Sequence, residues 1–196
     1  MLTFEQFIRD TAQKGEVVNL MFEERLFDLV GVLHKITDAL AAENIPHELI
    51  GGLAVLIHVE GADPTQTALT RDVDLMVRRS DLERIKEAAA KNGFRFRHAA
   101  GVDMLLYGST ESAKNRVRLI FSGEEIPIHP EKKVIHGREV WVVPVADLVR
   151  MKLSSYRDKD RVHIRSMEAA GLITREVERG LPDELHSRLQ HVRETE

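Results

Sequence analysis

The stretch Gly51–Val77, GGLAVLIHVEGADPTQTALTRDVDLMV, decides how the chain is read. Two glycines form a turn that opens an apolar segment, and Leu53 to Val59 suggests a helix. A polar loop centred on ADPTQT follows. Asp72 and Asp74 then alternate with Val73, Leu75 and Val77. Side chains alternate across a strand, so the two carboxylates share one face and the apolar residues the other. Like charges that close repel, and both stay ionised only where something positive sits between them. Oxygen ligands at neighbouring positions suit a divalent ion such as Mg²⁺ (or Mn²⁺). A Gly-Gly turn entering a helix exposes backbone N–H groups that cradle phosphate. An Asp-x-Asp alone is more often the solvent face of a strand, and a lone Gly-Gly more often a turn. The order strand, Gly-Gly, helix, loop, Asp-x-Asp strand is what makes the pair specific.

Outward from this stretch, the pattern gives an α+β chain. Phe4 to Leu20 reads as a weak helix interrupted near Gly15. A stronger helix covers Phe22 to Asn44, with Leu26, Val30, Leu33, Ile36, Leu40 and Ala41 at helical spacing. Pro46 stops it, and His47 to Ile50 is a short strand. After the Asp-x-Asp strand, Ser80-Asp81 with Glu83 predicts a capping box. It opens a helix to about Lys91 that ends at Asn92-Gly93. Strands are expected at Phe94–Phe96, Met104–Tyr107 and Val117–Phe121. A hairpin turns at His136-Gly137 and holds Trp141 on a packed sheet face. A helix begins at Val145 and runs to Tyr156, and two more helical segments follow, broken at Gly171 and at Gly180–Pro182. Three parts result: a helical segment 1–44, a core 45–145 and a helical segment 146–196.

The chain has 196 residues, a net charge of −4, 43% hydrophobic residues and no cysteine. Disulfides and thiolate metal sites are excluded. The charge argues against a bulk nucleic-acid coat and leaves room for a local basic patch. No apolar run approaches a bilayer span and no signal peptide is seen, so a cytoplasmic protein without a membrane partner is expected. The nine histidines show no metal-ligand spacing and read as scattered or core-satisfied.

ELIGGLAVLIHVEG followed by TRDVDLMV resembles the signature of the nucleotidyltransferase fold shared with DNA polymerase beta. VPVADLVRMKLSSYRDKDRVHI, Val143 to Ile164, resembles a helical motif of the bacterial AbiEii-type group, whose founding members are toxins of toxin–antitoxin pairs. The resemblance covers about Ile45 to Met167. It implies a mixed sheet with helical attachments at both ends. It implies that Gly51 and Gly52 hold the triphosphate of an NTP, and that Asp72 and Asp74 are catalytic and bind the metal. Lys152 would reach the phosphates, with Asp160 orienting it or lining the acceptor side. Arg71 would bind a phosphate or pair with a carboxylate. The implied reaction is in-line attack by an RNA or protein hydroxyl on the α-phosphate, with an antitoxin protein as a further partner.

One position departs from the pattern. The fold's third carboxylate is expected within RVRLIFSG, where Arg118 stands. Arginine neither ligates a metal nor acts as a base near neutral pH. It can pair with Asp72 and Asp74, which would leave a nucleotide- or partner-binding module without turnover. It can instead turn toward the triphosphate. Asp103, Glu124 and Glu125 are the substitute acids, and their spacing singles none out. The Gly52 to Asp72 interval is also long for the family.

Overall fold

The computed structural model describes residues 4–66, 70, 72–108, 116–122, 130–135 and 137–195, with the backbone alone at 4, 5 and 7–23. Arg71, Glu124, Glu125 and His136 lie outside the described residues.

Seven strands form one mixed sheet in the order β3-β4-β5-β2-β1-β7-β6. The strands are β1 (His47–Ile50), β2 (Val73–Arg78), β3 (Phe94–Ala99), β4 (Val102–Tyr107), β5 (Arg116–Ser122), β6 (Glu131–Ile135) and β7 (Arg138–Val142). β2 is central, antiparallel to β1 and parallel to β5. The α+β expectation holds, with the Asp-x-Asp strand flanked by the strands carrying Ile50 and Arg118.

The helix α1 (Phe4–Ala42) passes through Gly15 without a break, which corrects the expected interruption. An interior glycine costs about 1 kcal/mol relative to alanine, too little to end a helix that continues on both sides. Its Val30, Leu33, Ile36 and Leu40 enter the core, whereas Ala41 is exposed and Ala39 buried in its stead. α2 (Gly51–Ala62) starts at Gly51 itself and is buried on nearly every side. That fits its uninterrupted apolar composition, since a helix hydrophobic all round belongs inside. α3 (Leu82–Lys91) ends as expected, but Asp81 rather than Ser80 precedes it and no side-chain cap forms. A short 3₁₀ turn, Arg79–Asp81, takes up Ser80.

The C-terminal helices are α4 (Val145–Ser155), α5 (Asp158–Ala169), α6 (Arg175–Arg179) and α7 (Asp183–Glu194). The helix from Val145 ends at Ser155, one residue before the expected Tyr156. Tyr156 takes a left-handed conformation (φ 47°, ψ 32°) and reverses the chain. Its hydroxyl donates to the Arg188 carbonyl at 3.3 Å, which ties the reversal to α7. This turn folds α5 back so that Asp160 meets Lys152 and Ser155 of α4.

One face of the central strands carries Leu49, Leu75, Val117, Leu119 and Val142, all buried. The opposite face is buried at Glu48, Ile50 and Met76 but opens at Arg118 and Ile120. Trp141 stands 37% exposed, with the Lys132 ammonium 4.9 Å from its ring centre, so it is not packed into the core.

Candidate functional site

The site begins where β1 runs into α2. Gly51 has φ +76°, which L side chains rarely adopt, and a Cβ there would collide with the Asp74 carboxylate. Ile50 and Asp74 are register partners, so the carboxylate lies directly over the start of α2. At Gly52 a Cβ would stand 2.6 Å from the Thr70 hydroxyl and 3.3 Å from Cε1 of His163. Both glycines therefore serve close approach, and the helix start is left uncovered by side chains of its own.

Gly51, Gly52, Asp72, Asp74, Arg118 and Lys152 line one cleft of about 410 Å³. Of the other residues the sequence singled out, Arg71 is outside the described residues and Asp160 is wholly buried behind the cleft wall. Asp160 accepts a hydrogen bond from Lys152 Nζ at 3.0 Å.

The acids of the cleft are already paired. Asp74 faces Arg118 across the parallel β2–β5 register. Arg118 Nε donates to Asp74 Oδ1 at 2.5 Å and Nη2 to Oδ2 at 2.8 Å. Arg116 Nε donates to Asp72 Oδ1 at 2.7 Å, and Arg118 Nη2 lies 3.9 Å from Asp72 Oδ2. Such two-pronged charge-assisted bonds are the strong ones. Burial opposes ionisation of Asp72, but the hydrogen bond and charge of Arg116, helped by Arg118 and Lys159, hold its carboxyl below the usual range. The Asp74 hydrogen bonds likewise hold Arg118 more firmly protonated than a free arginine.

Asp72, immediately before β2, and Asp74 within it are a fitting donor pair for Mg²⁺ in type. As the side chains stand, however, the Arg118 guanidinium holds the place an ion would need. Among the described residues no group of three or more His, Asp or Glu side chains could hold a metal. Asp103 does not supply the missing acid. It is the register partner of Leu119, on the face away from Arg118, and is bound by His98 and by Arg79 at 3.1 Å.

Lys152 is 6% exposed. Burial lowers its pKa, and the Asp160 contact at 3.0 Å with the nearby charge of Asp74 works the other way. Asp160 also accepts from Ser155 Oγ and from Arg157 Nε at 2.9 Å. These bonds outweigh the opposing effect of burial and hold its carboxyl well below the usual range. Asp160, the last residue of RDKD and its buried one, is thus an anchor for a cleft lysine at a helix start.

His163 was not singled out by spacing, yet it lines the cleft and is buried, with Nδ1 lacking a hydrogen-bond partner. Burial first, then the charge of Lys152, lowers its pKa to about 4. It stays neutral at pH 7. Nothing in the histidine spacing signalled this, whereas Arg116 was legible as the residue two before Arg118 on a strand.

No protein-family model matches the chain, and no curated protein does. Solved structures match over most of its length. An antigenic nucleotidyltransferase-like protein from Paracoccidioides brasiliensis superposes with a TM-score of 0.60 at 18% identity, covering 85% of this chain and 88% of that one. The antibiotic-resistance factor ANT(2'')-Ia gives 0.56 at 18% identity, with 84% and 91% covered. The lincosamide antibiotic adenylyltransferase LnuA, lincomycin-bound, gives 0.52 at 11% identity, with 71% and 96% covered. At these identities the likeness establishes the fold. It is the nucleotidyltransferase fold, an α+β mixed sheet with helices before and after it. Among the described residues no helix is long and apolar enough to cross a membrane.

Proposed function

We propose that this chain binds the phosphates of a nucleoside triphosphate in the Gly51-Gly52 cleft, in the cytoplasm, as a binding module without metal-assisted transfer. The observation that carries this reading is the two-pronged Arg118–Asp74 ion pair inside the cleft. The start of α2 offers backbone N–H groups and the positive end of a helix dipole. Lys152 adds a cation placed by Asp160, and Arg157 and Lys159 add positive charge on the same wall. A triphosphate is the anion this cradle suits. Arg71 belongs to the proposal as a further phosphate contact next to Asp72.

The second reading is an AbiEii-type nucleotidyltransferase that moves a nucleoside monophosphate to an RNA or protein hydroxyl, as the toxin of a pair with an antitoxin. Its support is the fold together with two aspartates on one strand beside the glycines. It needs Mg²⁺ (or Mn²⁺) on Asp72 and Asp74, and hence release of both by Arg116 and Arg118. Melting of the protein with and without ATP tests binding, because a ligand that favours the folded state raises the midpoint. Labelled-NTP transfer then separates the readings. Robust transfer that is lost in Asp74→Ala overturns the binding-module reading, and ATP binding without transfer upholds it.

A further inference from the structure

The open sheet face beside the cleft carries a grid of arginines. Register places Arg97, Met104, Arg118 and Asp74 on one rung, running from the edge strand β3 to β2. Arg95, Leu106 and Arg116 form the next rung, with Asp72 at its end. Residues paired this way project from one face of the sheet. On that face β3, β4 and β5 carry four arginines and no acid. Spacings follow from sheet geometry: about 7 Å between the arginines along a strand and about 10 Å from β3 to β5.

The two halves of the grid differ in charge. Arg116 and Arg118 are offset by Asp72 and Asp74. Arg95 and Arg97 are exposed, and neither has an ion-pair partner among the described residues. Between the two arginine columns lie Met104 and Leu106, both partly exposed, and beyond Arg118 the 38% exposed Ile120. Guanidinium planes and apolar side chains in alternation suit the faces of unstacked bases, with the surplus charge meeting phosphates. A duplex hides its base faces and would use only the charge.

We infer that the β3–β5 face is a docking surface for single-stranded nucleic acid, with Arg95 and Arg97 contacting its phosphates and the strand leading toward the Asp72–Asp74 cleft. The inference rests on the proposed nucleotide site only for what the strand leads to. The net acidity of the chain makes this a local surface instead of a general coat.

Fluorescence anisotropy with a short fluorescein-labelled single-stranded RNA, across a series of KCl concentrations, tests it. Wild type should bind with a log–log salt slope. Each lost phosphate contact on a single strand lowers that slope by about 0.7, so the double variant R95A/R97A should lose about 1.4 and bind roughly tenfold more weakly at low salt. Its melting midpoint and its shift with ATP should match wild type, because both arginines are exposed and outside the cleft. Unchanged affinity and slope in R95A/R97A would overturn the inference. So would a wild type that responds to ATP but ignores the RNA, a result that leaves the nucleotide site standing. An RNA duplex competing as well as the single strand would also overturn it. RNA binding that depends on Arg95 and Arg97 without any ATP response would uphold the surface and sink the nucleotide reading instead.

Discussion

Arg118 and Asp74 stand opposite one another on parallel strands, 44 residues apart in sequence, and share two hydrogen bonds at 2.5 and 2.8 Å. Each makes the other affordable in a half-buried cleft. Removing one partner leaves the other charge desolvated, which costs more than the pair contributes. Arg118→Ala should therefore lose about 2–3 kcal/mol in urea unfolding, and added Mg²⁺ should restore part of it. Arg118→Asp should bind Mg²⁺ more tightly than wild type, read as a larger rise in melting midpoint per increment of Mg²⁺. A wild type stabilised by Mg²⁺ as strongly as Arg118→Asp would show that the guanidinium does not block the ion.

Gly51 and Gly52 should respond differently to alanine. Gly51→Ala meets both a positive φ and the Asp74 carboxylate, itself pinned by Arg118. A loss of about 2–3 kcal/mol is expected from strain and collision together. Gly52→Ala meets the Thr70 hydroxyl, a side-chain end that can rotate away, so its stability should fall by about 1 kcal/mol. Its ATP-dependent melting shift should nonetheless shrink, since the added methyl group narrows the cleft. Equal stability losses in the two variants would contradict this account.

Lys152 in the cleft wall and Asp160 behind it form a buried pair, 3.0 Å apart. Lys152→Met keeps the side chain's volume and removes the cation. Ser155 and Arg157 remain on Asp160, so the protein should still fold, with a loss of about 1–2 kcal/mol. Its Kd for ATP, measured calorimetrically, should rise at least tenfold, as expected for one lost charge-assisted contact. Asp160→Ala strands the lysine and should cost more in stability, about 3 kcal/mol.

Glu48 and His163 give opposite pH dependences. Burial, with Asp147 nearby, pushes Glu48 from 4.5 up to about 7. Its contribution is fully present below pH 4.5 and is lost as pH rises toward 7. For His163, lowered from 6.5 to about 4, stability is present above pH 6.5 and is lost as pH falls through 4. Between pH 4.5 and 6.5 the two slopes oppose each other. Glu48→Gln should unmask the histidine, so its stability should rise with pH across that window and exceed wild type by up to about 3 kcal/mol above pH 7. Urea midpoints of both proteins at several pH values check this. A Glu48→Gln profile parallel to wild type would rule out the assigned shift.

Much of the fold was legible because it depends on local pattern. The β1–Gly-Gly–α2–β2 order could be read from glycine placement, from the apolar run Leu53–Val59 that follows it, and from strict alternation around Asp72 and Asp74. The end of α3 at Asn92-Gly93 was legible for the same reason. Gly15 misled because its cost is small beside the helix around it. The helix end near Tyr156 was legible, but its left-handed backbone was not, since a tyrosine with φ 47° is held by contacts such as its bond to Arg188 and not by its own preference.

Local pattern was enough to set two carboxylates on one strand face beside a glycine-opened helix, and to show an arginine where a third acid was expected. What that arginine does depends on the folded sheet. Pairing β5 parallel to β2, in the register that sets Val117 against Val73, is a long-range choice made by sheet packing. A shift of one residue would have turned Arg116 and Arg118 to the other face. The same pairing carries the grid on to Arg95 and Arg97 at the sheet edge, two strands further on. Strand residues know their own alternation, but which charges they meet depends on neighbours that only the folded sheet brings alongside.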